Sequence, residues 1–348
     1  MGDTSQLSAS SIAAQQRILR ERLHRLLAAL HPVLHHDVVH ALEGAGKLLS
    51  QPDAGIDPLA PALTAGVWPV LTLLITQHLS PDIDPEHASS VAIAVECFVC
   101  ALDLLDDVED DDQTPIVQSL GISRVLNVST ALLTLAHHAI LSLSRQAIAP
   151  GLVLRLLETL QECTLIATSG QHRDLLAEQR LAQDITQEEC IEIAAAKAAS
   201  IMRLACRLGA LCAGADDTLC DQFSELGELL GIAHQLDNDS HDLYYLLQDE
   251  TSATVPGESI HIGRSVKTDL VRGKKTLPVV LAAKISAPLQ KKLENSDEEN
   301  RQYRQALQEG IVTTWGICLL YRERARERLQ EIEAQKPIAP ALHFLLGL

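Results

Sequence analysis

The stretch Val91-Ala92-Ile93-Ala94-Val95-Glu96-Cys97-Phe98-Val99-Cys100-Ala101-Leu102-Asp103-Leu104-Leu105-Asp106-Asp107-Val108-Glu109-Asp110-Asp111-Asp112 decides how the rest of the chain is read. From Val91 to Leu105 it is mostly apolar, without strand alternation, which predicts a buried helix. It then ends in six carboxylates within seven residues, Asp106 to Asp112. Carboxylates this close repel one another, and water screens the repulsion only in part. A bound divalent cation relieves it, and hard oxygen ligands suit Mg²⁺. Residues four apart share a helix face, so Asp106 and Asp110 point the same way. Asp107 lies about 100° around the axis and meets a different partner, a lysine or a metal-bound water.

A second acidic constellation, Asp237-Asn238-Asp239 with Asp242, ends another apolar helix much later in the chain. Two such helix ends facing each other would hold a metal–phosphate assembly. Just beyond the second, Arg264, Lys267, Arg272, Lys274 and Lys275 crowd into twelve residues. As a charged surface turn they need no explanation. Beside metal-bound acids, their charges complete the balance of a diphosphate.

Outward from these motifs, nearly every segment carries helical periodicity and none alternates as a strand does. Helices are expected over 18–49, 62–79, 87–110, 119–147, 152–180, 186–212 and 217–247. A loop follows over 249–263, then shorter helices from 265 to the end, with weakened periodicity over 285–300. Thr186, with Glu189 three residues on, reads as a helix N-cap. Residues 1–15 are expected to be disordered and 16–348 to form one all-α domain.

Composition narrows the function. Apolar residues make up 47%, enough for a large core, and Leu and Ala favour helix. A net charge of −18 argues against nucleic acid or an anionic membrane as partner. The eight cysteines have no secreted-scaffold spacing, which points to reduced thiols in the cytoplasm. Cys97 and Cys100 form a CxxC with no second half, so they read as buried helical thiols. The polar first dozen residues lack the order of a signal peptide, and the apolar runs fall short of a membrane span. Of fourteen histidines, His35, His36 and His40 share one early helix without a carboxylate pattern around them.

Five motifs then occur in order: the Asp106 run; Gln171-His172-Arg173-Asp174-Leu175; Lys197-Ala198-Ala199; Gly231-Ile232-Ala233-His234-Gln235-Leu236 leading into Asn238 to Asp242; and Asp269 to Lys275 followed by Thr276-Leu277-Pro278. This order resembles the isoprenyl diphosphate synthases, or polyprenyl synthetases, from about residue 62 to about 329. The resemblance implies an all-helical bundle around a deep cavity, with three Mg²⁺ ions that grip an allylic diphosphate and draw off its leaving group. It implies metal-binding roles for Asp106, Asp107, Asp110, Asn238, Asp239 and Asp242, with Asp174 and Gln171 nearby. It implies diphosphate binding by Lys197 and Lys274, with Lys275 adjacent. Family habit adds a homodimer.

The chain departs from the family's elongating members, which bind isopentenyl diphosphate through a GKRxRP segment and an Arg-Arg-Gly after the first acidic motif. Ala65-Gly66-Val67-Trp68-Pro69 stands at the first, and Asp111-Asp112-Gln113-Thr114-Pro115 at the second. Between Lys47 and Arg124 lie 76 residues with thirteen acids and no Lys or Arg. An uncompensated acidic wall repels a second diphosphate, so isopentenyl diphosphate is not the expected substrate. Asn238 followed by Asp242 resembles class I terpene synthases, although Leu246 replaces their usual Glu. The leading expectation is a terpene synthase or cyclase acting on a farnesyl- or geranylgeranyl-class diphosphate. The alternatives are transfer to an indole, a peptide Trp or a small molecule, as in bacterial pheromone-modifying isoprenyl transferases, then chain elongation, then a non-catalytic regulatory subunit. Trp68 is expected to line the acceptor pocket, and Phe98, Ala101 and Leu102 the floor of the prenyl cavity.

Overall fold

The computed structural model describes residues 2–44, 46–50, 65–146, 148–249, 273–285 and 297–347, and all regular structure among them is helical. In chain order the helices are α1 (Gly2–Leu27), α2 (Pro32–Leu42), α3 (Val67–Leu79), α4 (Pro85–Glu109), α5 (Pro115–Leu120), α6 (Ile122–Leu141) and α7 (Pro150–Glu178). They continue with α8 (Gln187–Ala194), a π-helical turn (Ala195–Ala199), α9 (Ser200–Cys212), α10 (Asp217–Asp249), α11 (Leu277–Ile285), α12 (Asp297–Gln335) and α13 (Pro340–Leu346). The expected loop over 250–263, the start of the following helix and the weak stretch over 286–296 lie outside the described residues.

Two compact units account for the chain. The first comprises Met1–Thr164, Ile201–Gly227 and Arg326–Leu348; the second comprises Leu165–Ser200 and Glu228–Ala325. In the first unit α4 is the central element, packed against α6 and α3. Its side chains from Ala88 to Ala101 are buried, Phe98 among the largest. The second unit has one core of Ala177, Ile185, Ile193, Ile232, Leu236 and Val280, and another of Leu243, Leu247, Ala306 and Ile311.

Several boundaries differ from the sequence expectation, for local reasons. Residues 2–15, expected to be disordered, belong to α1; Ile12 is buried, and Gln16 donates to the Ala65 carbonyl at 2.7 Å. The single helix expected over 18–49 breaks where Pro32 begins α2, capped by His31. Gly121, at φ +75°, separates α5 from α6. Thr186 does cap α8, accepting from the Glu189 N–H at 3.0 Å. Cys97 and Cys100 are buried free thiols, as expected, and burial raises the pKa of each.

Among the described residues two segments, Pro85–Glu109 and Ile122–Gln146, are long and apolar enough to cross a membrane by length and composition only. In α4, 83% of that apolar window is buried inside the structure, which is what the core helix of a folded unit requires.

Candidate functional site

The acid run closes α4. Asp84 starts the helix by accepting from the Glu86 N–H at 2.8 Å, with Pro85 in the first turn, and no basic residue occupies the last turn. The carboxylates therefore gather at the negative end of the helix dipole, where they are least favoured. Asp110 is buried, Asp106, Asp107 and Asp112 are half-buried, and Glu109 and Asp111 are exposed. Asp111 takes a left-handed backbone at φ +54°, which Asp tolerates better than most residues. That turn lets the Asp112 N–H bond back to the Asp107 carbonyl at 2.8 Å and brings Thr114 round. Thr114 donates to Asp107 Oδ2 at 3.0 Å while capping α5.

Burial pushes the Asp107 carboxyl up to about 6; the Thr114 bond opposes this, and the charges of Asp103, Asp106 and Asp112 add to it. This is the field that a divalent cation relieves. No three His, Cys, Asp or Glu side chains among the described residues converge as a closed metal cage. Mg²⁺ needs no such cage, because it is commonly held by one or two carboxylates with substrate phosphates and waters completing its shell. The donor set fits the ion.

A basic partner that sequence reasoning missed stands beside this helix. Lys47, before the cation-free stretch, pairs with Asp103, one turn upstream of Asp106. Glu96, fully buried on the same helix, accepts the Leu48 N–H. Burial pushes the Glu96 carboxyl up to about 7 against the pull of Lys47 and that N–H. Burial disfavours the Lys47 ammonium, yet Asp103, Cys100 and Glu96 together raise its pKa. The available signal was Glu96 itself, since an acid inside an apolar run needs a cation nearby. The acidic wall is thus partly compensated, which corrects the reading drawn from the 76 residues alone.

In the second unit the candidate side chains sit where helices approach closely. Lys197 lies in the π-helical turn, a feature found often at functional sites. A Cβ on Gly170 would fall 2.5 Å from the Lys197 backbone N, and one on Gly231 would fall 2.6 Å from Ala199 Cα. These two glycines allow α7 and α10 to press on the turn that carries the lysine. Lys197 Nζ pairs with Asp174 Oδ2 at 3.0 Å, and Gln171 is buried one turn before Asp174.

On α10, Asn238 and Asp242 share a face by their spacing; Asn238 is exposed and Asp242 half-buried. Gln235 donates to Asp239 Oδ1 at 2.8 Å, and Asn238 meets His234 at 3.3 Å. Asp237 is held by Arg322 at 3.2 Å. Past the motif, His241 and Tyr244 each lie against Trp315, with ring centroids 5.4 and 5.6 Å apart. Trp315, far off on α12, had no sequence signal linking it to this motif.

Lys274 is half-buried, whereas Lys275 donates to the carbonyls of Glu178, at 3.4 Å, and Gly273. Lys275 thus holds the chain entering α11. Arg264, Lys267, Asp269 and Arg272 lie outside the described residues. In the first unit Trp68 is half-buried in the first turn of α3, Phe98 and Ala101 are fully buried in α4, and Leu102 is half-buried.

Comparison with known proteins follows the same lines. The family model for polyprenyl synthetase matches residues 66–312. A geranylgeranyl diphosphate synthase of Mycobacterium tuberculosis is 30% identical over 269 residues, 75% of this chain and 71% of the relative. Tryptophan prenyltransferase ComQ of Bacillus spizizenii is 31% identical over 167 residues, 48% of this chain and 54% of the relative. The solved polyprenyl synthase of Caulobacter crescentus, complexed with calcium and isoprenyl diphosphate, shares the fold at a TM-score of 0.67 and 22% identity, covering 94% of this chain and 95% of its own.

Proposed function

Since the chain belongs to the polyprenyl synthetase family, an enzyme class of prenyl diphosphate chemistry, we propose that it ionises one allylic prenyl diphosphate of the farnesyl or geranylgeranyl class without using isopentenyl diphosphate. The carrying observation is the acid run at the negative end of a buried helix, where the Asp107 carboxyl is pushed up to about 6 by burial and by its acidic neighbours. We assign Asp106, Asp107 and Asp110 in one unit, and Asp174, Asn238, Asp239 and Asp242 in the other, to magnesium, expected as three ions. Bound Mg²⁺ supplies Lewis acidity that stabilises the departing diphosphate. Lys197 and Lys274 add positive charge where the diphosphate's negative charge grows, and Gln171 orients it. Lys275 steadies the segment that carries Lys274. The apolar surroundings of Phe98, Ala101 and Leu102 keep water from the prenyl chain. Calcium and an isoprenyl diphosphate in the Caulobacter protein support a divalent-ion site for this substrate class.

Transfer of the prenyl group to an acceptor without a diphosphate now stands ahead of cyclisation. ComQ, named as a tryptophan prenyltransferase, is 31% identical over 48% of this chain, against 30% over 75% for the geranylgeranyl diphosphate synthase. Trp68 is assigned to the acceptor pocket. Cyclisation is retained as the second reading because Asn238 and Asp242 keep the spacing of class I terpene synthases. A single isoprenyl synthase-like domain, a cytoplasmic location and a homodimer belong to the same reading. The exposed Ile122, Leu126 and Leu141 on α6 support the dimer.

Purified protein with Mg²⁺ should be given geranyl, farnesyl and geranylgeranyl diphosphate, each with and without isopentenyl diphosphate, an indole or a Trp-containing peptide. Diphosphate release dependent on the indole or peptide supports transfer, and a hydrocarbon or alcohol from the allylic substrate alone supports cyclisation. Longer diphosphates formed only with isopentenyl diphosphate would overturn the proposal.

A further inference from the structure

We propose that Asp103 is an acceptor-specificity residue. By engaging the Lys47 ammonium, it withholds that cation from any second anionic substrate and leaves the acceptor position to uncharged molecules. The inference rests on the reading that the acceptor carries no diphosphate, and it deepens that reading by naming the residue that enforces it.

Lys47 is built in rather than draped over the surface. Its side chain is 13% exposed, while that of Asp103 is 49% exposed. The backbone on either side is pinned. The Gly66 N–H bonds to the Gly46 carbonyl at 3.0 Å, Arg20 Nε donates to the Leu48 carbonyl at 2.7 Å, and the Leu48 N–H is taken by Glu96. Gly66, at φ +62°, approaches so closely that a Cβ there would lie 2.7 Å from Leu48 Cδ1. A lysine held so firmly against Asp103, which lies one turn before Asp106 and on the face of Asp107, is a charge the fold keeps in place.

The second cation bounding the acidic stretch is committed in the same way. Arg124 clamps Asp37 with Nε at 2.9 Å from Oδ2 and Nη2 at 2.5 Å from Oδ1. Asp37 is itself buried, and the Arg124 bond holds its carboxyl below the usual range. Each basic residue that borders the 76 acid-rich positions therefore already has an aspartate. A diphosphate acceptor would have to displace Asp103 from Lys47, against the attraction of that pair and the repulsion of Asp106 and Asp107. An indole, a phenol or an alkene meets no such barrier.

The test measures binding of isopentenyl diphosphate by calorimetry, with EDTA present so that metal-dependent binding is silent. The proteins are wild type, Asp103→Ala, Asp103→Asn and the double variant Asp103→Ala/Lys47→Met, each first checked for a native melting transition. The inference expects at least tenfold tighter binding in both single variants and a return to the wild-type value in the double variant. Unchanged binding in the folded single variants overturns it, as does an equal gain in the double variant, because Lys47 would then not be the cation released. Asp103→Asn keeps the side-chain volume, so a folding failure of the alanine variant leaves the test intact. The two ideas fail separately. Chain elongation by the wild type sinks the reading of the acceptor, whereas a wild type that ignores isopentenyl diphosphate alongside unresponsive Asp103 variants sinks only the role of Asp103.

Discussion

Glu96→Gln isolates one buried charge whose free-energy signature is large and has a definite sign. The Glu96 carboxyl is fully buried and pushed from 4.5 to about 7. At about 1.36 kcal/mol per pH unit, that displacement amounts to about 3 kcal/mol. The folded protein holds the proton more tightly than the unfolded chain, so stability is greatest below the unfolded value. It is lost as pH rises through the window from 4.5 to about 7. Gln keeps an acceptor for the Leu48 N–H and does not titrate, and Lys47 remains charged throughout the window. Urea unfolding of both proteins at intervals from about pH 5 to about pH 8, taken as a difference, cancels the titrating groups remote from Glu96. The wild type should lose about 2–3 kcal/mol relative to Glu96→Gln across that range. A difference flat to within about 0.5 kcal/mol would show that Glu96 is already ionised near its ordinary pKa, and the argument for a buried, titrating Glu96 would fail.

Other outcomes follow from the same physical picture. Asp106→Ala and Asn238→Ala should each lower Mg²⁺-dependent diphosphate release by about a thousandfold or more, read by phosphate detection after pyrophosphatase; full activity in either refutes its metal assignment. Gly170→Ala places a methyl 2.5 Å from the Lys197 backbone and should cost about 1–3 kcal/mol in unfolding free energy while weakening allylic diphosphate binding. Wild-type stability with unchanged binding would show that the turn has room to yield. Phe98→Ala empties a fully buried site in α4 and should cost about 3–5 kcal/mol by thermal or urea unfolding, with a shift toward longer allylic substrates. Loss of stability with an unchanged chain-length preference would remove Phe98 from the cavity floor. Light scattering should report twice the 37.8 kDa chain mass, falling to one chain for Leu126→Asp; a wild-type monomer would end the dimer assignment.

The helical architecture was legible in the sequence because it rests on short-range signals. Apolar periodicity placed α4, α7 and α10 within a few residues, and the Thr186 cap was readable from a four-residue spacing. The missed breaks, at Pro32 and Gly121, fall where a local backbone constraint overrides a continuing apolar pattern. Residues 2–15, expected to be disordered, belong to the helix that carries the buried Ile12 and Gln16.

The site was only half legible. Acids crowded on one helix end announce themselves, since their repulsion is a property of neighbours along the chain, and the pairing of Asp174 with Lys197 matched two motifs found by order alone. The role of Lys47 was not visible, because Asp103 is 56 positions away in sequence and ion pairs leave no periodic trace. The same holds for Glu96 with the Leu48 N–H, and for Trp315 with the rings past Asp242.

By itself, then, the sequence determined an all-α chain with two acid-ended helices and the electrostatic demand for a cation, since these depend on composition and spacing within a few turns. Tertiary structure decided which charges are already satisfied. Whether Lys47 is available to a substrate or committed to Asp103 depends on where a loop far away in the sequence is pinned. Burial and long-range pairing set the balance of charge, and neither can be read from spacing along the chain.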